Sequence, residues 1–152
     1  MVLVVASLAA CGGGGGGPTG PTLSRSVVVS RVNTECAKLM QASNDLVAAQ
    51  DPNAHGTRVE QFMKGAASQL RARVHTIGIL HAPGSISGDL SRFVSLLGQY
   101  ADGLDALASR IHSDETYMDL LNRSTAQVDA LNQLSSQTNT IAARLGFTKC
   151  GT

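Results

Sequence analysis

Residues 85–111 read SISGDLSRFVSLLGQYADGLDALASRI. Leu90, Phe93, Leu97, Tyr100, Leu104, Leu107 and Ile111 recur every three or four positions, which puts all seven on one face of an α-helix. Asp102 and Asp105 fall between them and are expected to face solvent. The spacing predicts a helix that starts near Ser85 or Ser87 and buries one aliphatic stripe.

Upstream, Thr57-Arg58-Val59-Glu60 matches a capping box, in which a hydroxyl and a carboxylate each satisfy a free backbone amide. It predicts a second helix from Thr57, with Val59, Phe62, Met63, Ala66, Leu70, Val74 and Ile77 on its apolar face. That helix stops before His81-Ala82-Pro83-Gly84, where His81 is placed to meet the helix dipole. A first helix runs from about Ser24 to Gln50 with Val29, Val32, Cys36, Leu39, Ser43 and Leu46 on one side. Asp51-Pro52-Asn53 ends it, because proline donates no amide hydrogen and restricts the residue before it.

Downstream, a fourth helix follows Ser113, with Asp114 and Glu115 in its first turn. Tyr117, Leu121, Val128, Leu131, Leu134, Thr138, Ile141 and Leu145 form its stripe, and Gly146 is the left-handed stop over which Phe147 folds back. Helices of about 25 residues are roughly 37 Å long. Four of matched length with short connections predict an all-α, antiparallel up-down-up-down four-helix bundle, without a sheet. Ser43, Ala66 and Thr138 lie on apolar faces and mark either a close helix approach or a looser end of the core.

The chain has 152 residues, enough for one domain. Its 12 basic and 11 acidic residues are dispersed and leave a net charge of +1, so no phosphate-binding face and no nucleic-acid partner are expected. Three Phe, two Tyr and no Trp are too few for a base-stacking or sugar-binding platform.

Val2 to Ala10 is an apolar run too short to span a membrane but suited to the core of a signal peptide. Leu8-Ala9-Ala10-Cys11 resembles the lipobox of bacterial lipoproteins. The resemblance implies a signal peptide over 1–10, cleavage before Cys11 and a diacylglycerol on the Cys11 thiol. Two or three acyl chains, at about 0.8 kcal/mol per buried methylene, would hold the protein stably on a membrane. Signal peptides also carry a positively charged leading region; only Met1 precedes the apolar run, so a start further upstream is expected. Residues 11–23 then form the linker: seven of the sixteen glycines fall within positions 12–20, followed by Pro21. A glycine-rich coil of about 11 residues spans roughly 17–20 Å. These glycines match G-x-G-x-x-G only trivially, since no strand precedes them. The helical domain occupies 24–152.

With Cys11 assigned to lipid, Cys36 and Cys150 remain as a pair, and an exported compartment permits their disulfide. Closing a loop of about 115 residues is worth roughly 4–5 kcal/mol in the chain-entropy model. Two free thiols are the alternative. The ending Ala143-Arg144-Leu145-Gly146-Phe147-Thr148-Lys149-Cys150-Gly151 is similar to that of small helical lipoproteins with an earlier cysteine in their first helix. Members of that group mostly lack an assigned activity, so the likeness bears on fold.

Reaction chemistry is not legible. Gly84-Ser85-Ile86-Ser87-Gly88 has Ile86 where a nucleophile elbow needs serine. His55, His75, His81 and His112 form no i, i+4 pair and no E-x-x-H motif, although His55 and His112 would share one end of an alternating bundle. Met40, Met63 and Met118 read as core filler, and Asp102/Asp105 and Glu115/Asp119 as solvated carboxylate pairs. No catalytic, metal or cofactor residue is assigned. The reading is a lipid-anchored cell-envelope protein, not an enzyme, that binds another envelope protein or a small ligand. A periplasmic bundle holding a ligand, metal or haem is the alternative. Oligomeric state and choice of membrane stay open.

Overall fold

Five helices follow one another: α1 Arg25–Ala49, α2 Thr57–Gly78, α3 Gly84–Ala108, α4 Tyr117–Arg123 and α5 Thr125–Leu145. They are seen in a computed structural model that describes residues 20–49, 51 and 53–150, without the side chains of 46–49. The expected signal peptide (1–10), Cys11 and the glycines of the linker up to Gly17 lie outside the described residues. Among those described there is no strand, only an isolated antiparallel bridge between His55 and Thr116, and the protein is all-α. None of these helices is long and apolar enough to cross a membrane.

α2 packs most extensively on α3, α3 on α5, and α1 on α2. Most of the buried hydrophobic side chains fall into two cores. The first joins Val28, Val32 and Cys36 of α1, Ile77 of α2, Ile86, Leu90, Phe93 and Leu96 of α3, and Ile141, Ala142 and Leu145 of α5. Phe147 closes it, its ring edge-on to Phe93 with centroids 5.2 Å apart. The second core holds Ala54, Val59, Met63, Leu107, Ala108, Leu120 and Leu131. Among the described side chains α1 contributes nothing to this second core.

The helix ends explain much of the path. α5 stops at Gly146 (φ 84°), as its sequence predicts. The Phe147 amide donates to Ala142 O (2.8 Å) and the Gly146 amide to Ala143 O (3.2 Å), so two otherwise free carbonyls are satisfied and the chain turns back. Cys150 is thereby delivered to α1, where it is bonded to Cys36 with Cα atoms 5.0 Å apart.

Four local expectations need correction. The fourth helix is two helices broken at Ser124 (φ −111°, ψ 34°), and Asp114 and Glu115 precede it instead of forming its first turn. Arg123 turns back to Glu115 and to the carbonyl of Arg110, which holds the break. The Thr57–Glu60 capping box does not form: Gly56 (φ 48°) is the N-cap, and Glu60 pairs with Lys64 instead. Gly56 lies against the backbone of Ser113, where a Cβ would come within 2.6 Å of its carbonyl oxygen, so helix entry is set by tertiary contact. The box forms at Thr116–Asp119, at the start of α4. Third, α1 buries Val28 fully, while the expected Val29 is only partly buried against the first core. Finally, His81 lies beyond the end of α2 at Gly78, and its Nδ1 is 2.7 Å from Gly20 O, so it fastens the end of the linker, not the helix dipole.

Candidate functional site

Where α1 leaves the first core, a groove of about 400 Å³ opens between it and the other helices. α1 contributes Leu39, Met40 and Ser43; α2 contributes Phe62, Met63, Ala66, Gln69 and Leu70. Tyr100 and Leu104 of α3, Tyr117 of α4 and Ser135 of α5 complete the lining. The size is that of a small-molecule site, as is the mixture of apolar walls with a few polar groups. Ser43 and Ala66 therefore mark the looser end of the core: neither side chain is long enough to fill the space between α1 and α2. Thr138 is different, being buried with its hydroxyl donating to Leu134 O at 2.7 Å.

Two of the lining side chains meet directly. Phe62 and Tyr117 meet edge to face with centroids 6.2 Å apart. Burial raises the pKa of Tyr100 and of Tyr117, and for Tyr100 the neighbouring phenol adds to the shift. Both are neutral near pH 7. Met40 is 46 % exposed, so this flexible side chain stands at the edge of the groove and is not core filler. Among the described residues no histidine, carboxylate or cysteine lines the groove.

Polar clusters lie on either side. Toward the first core, Glu35 is 8 % exposed and is held by Lys38 (2.7 Å) and Arg73 (3.0 Å). Its pKa is lowered chiefly by the Lys38 hydrogen bond, with Arg73 acting in the same direction against burial. Beyond the second core, Glu115 accepts from Arg123 Nε (2.6 Å) and Nη2 (2.7 Å) and from the His112 amide (2.9 Å). Arg123, followed by the His112 amide, lowers the Glu115 pKa to about 2.

The residues singled out in the sequence are scattered. Cys36 and Cys150 are joined at the first core and do not line the groove, although Cys36 lies one turn before the groove-lining Leu39. His55 binds Asp114 O at 2.8 Å and His112 sits 3.5 Å from Glu115, but among the described residues no three metal-ligating groups converge. Ser85 and Ser87 belong to the first turn of α3. The Asp102/Asp105 pair is occupied by Arg71, and Asp119 by the Thr116 cap. Sequence reasoning assigned Met40, Phe62, Tyr100 and Tyr117 to core or stripe and so missed the groove; the small residues Ser43 and Ala66 were the available signal. Comparison with protein-family models, curated proteins and solved structures gave no match for this chain.

Proposed function

We propose that this chain is an exported lipoprotein, tethered to a membrane of the cell envelope through Cys11, whose helical domain acts by binding. The observation that carries the binding reading is the groove: about 400 Å³ of mainly apolar wall with several hydroxyls and, among the described residues, no histidine, carboxylate, lysine or cysteine in its lining. The tether reading rests on Leu8-Ala9-Ala10-Cys11 followed by a glycine tract. The linker reaches the domain at Gly20, which bonds His81, while the Leu23 amide donates to His81 O at 2.8 Å. The disulfide between Cys36 and Cys150 suits an oxidising compartment. The anchor would sit on the periplasmic side of an outer membrane or the outer leaflet of a plasma membrane, and the partner would be an envelope protein or a small ligand.

For the architecture, we read α1, α2, α3 and the broken α4–α5 pair as the four members of an antiparallel up-down-up-down bundle. The short α2–α3 connection (79–83) and the bond between the first helix and the tail of the last support that arrangement. Fractionation of the native host tests the tether. Wild-type protein should sediment with membranes and carry diacylglycerol on Cys11 by intact mass, whereas Cys11→Ala should leave the membrane fraction. An unmodified Cys11 with residues 1–10 still attached contradicts the proposal.

A further inference from the structure

Resting on the binding reading above, we propose that the groove takes a neutral single-chain amphiphile: an alkyl or acyl chain of about ten carbons, at C–C bonds of roughly 1.5 Å, ended by an uncharged hydrogen-bonding head such as a glycerol ester. The length follows from α2, whose lining residues run from Phe62 to Leu70 and so cover about 12 Å of helix. A zigzag chain advances roughly 1.3 Å per carbon, so about ten carbons span that wall. Met40 and Met63 supply flexible thioethers, and Phe62, Tyr100 and Tyr117 supply ring surface, a combination that adapts to a chain with many rotamers.

Charge selects the head. Ser43, Gln69 and Ser135 offer hydroxyl and amide partners within the lining. The basic residues in the flanking stretches of α1 and α2 are already engaged: Lys38 and Arg73 by Glu35, Lys64 by Glu60, and Arg71 by Asp102. A carboxylate or phosphate entering the groove would shed water without gaining a cation, and a quaternary ammonium would shed water without gaining an anion. A fatty acid and a phospholipid are therefore poorer occupants than an uncharged ester or alcohol of the same chain.

The test uses the full chain carrying Cys11→Ala, which needs no detergent, and displacement of the neutral fluorophore 1-aminoanthracene. Three competitors share one chain length and are used below their aggregation concentrations: 1-decanoylglycerol, decanoate and decyltrimethylammonium. The glycerol ester should displace the fluorophore at a concentration at least tenfold below that of either charged competitor. Ala66→Trp and Ser43→Phe, which fill the groove, should each weaken fluorophore binding tenfold or more, while Met118→Ala outside it should change nothing. Ser43 is exposed on α1, so its variant decides the matter if Ala66→Trp melts early. Equal competition by decanoate overturns the neutral head, and fluorophore binding indifferent to both filling variants overturns the site. Exclusion of the fluorophore with a concentration-dependent dimer in light scattering assigns the groove to a second copy and overturns it too. Failure of the tether would show in membrane fractionation, not in displacement.

Discussion

The two cores of this domain are built from the same residue types but closed by different means. In the first, Val28, Val32 and Cys36 of α1 meet side chains from α2, α3 and α5, and a disulfide and the returning Phe147 seal the assembly. In the second, side chains from α2 to α5 converge with none of the described side chains of α1, and polar contacts hold the rim: the Thr116–Asp119 capping box and the Glu115–Arg123 pair. The groove lies where the one arrangement gives way to the other. The disulfide at Cys36 fixes α1 near its middle, and the groove begins one turn further on, at Leu39.

The largest effect should come from opening the first core. Replacing both cysteines, Cys36→Ala with Cys150→Ala, frees a closed loop with a sequence separation of 114. It should cost about 4–5 kcal/mol of unfolding free energy in the chain-entropy model, read from urea denaturation. A loss below about 1 kcal/mol would mean that α1 is held by packing alone. Phe93→Ala should follow at about 3–5 kcal/mol, since its ring is fully buried. The matching truncation across the groove, Phe62→Ala, should cost less than about 2 kcal/mol because that ring is only partly enclosed. Equal losses would erase the contrast between the cores.

Smaller changes sharpen it. Thr116→Ala should remove about 1 kcal/mol by destroying the cap of α4. Thr57→Ala, at the site the sequence favours for a cap, should stay within about 0.5 kcal/mol. The acid response should also be local. Glu115 has its pKa lowered from 4.5 to about 2, so its pairing with Arg123 stabilises the fold above the ordinary value. That contribution is lost as pH falls from about 4.5 through about 2. Glu115→Gln should flatten the dependence of the urea midpoint on pH across that window, and an unchanged slope would assign the acid sensitivity elsewhere.

What the sequence disclosed follows from which signals are local. Leu90, Phe93 and Leu107 lie on a 3.6-residue stripe, and Gly146 is a backbone requirement written in a single residue, so α3 and the end of α5 were legible. The break at Ser124 was not, because Leu120, Ser124 and Leu131 are spaced to share one helical face across it. Periodicity persists through such a kink; only the weak helix formers Asn122, Ser124 and Thr125 hinted at it. In Val27-Val28-Val29 the residues three and four before Val32 are both valine, so packing alone chooses Val28. The Thr57 cap was displaced by the contact of Gly56 with Ser113, 57 residues away and invisible to local pattern. The groove was illegible for a related reason: a stripe shows which face is apolar, and not whether another helix covers it. The disulfide pairing rested on assigning Cys11 elsewhere, and Cys11 lies outside the described residues.

Amide hydrogen exchange on the oxidised protein tests the division of α1 most directly, because protection reports the local cost of opening. Amides from Val32 to Lys38 should exchange slowly, with those of α3 near Phe93, and amides from Gln41 to Ala49 at least a hundredfold faster. Uniform slow exchange along the whole of α1 would show that its far half is packed as firmly as its near half, and the two-core account would fail.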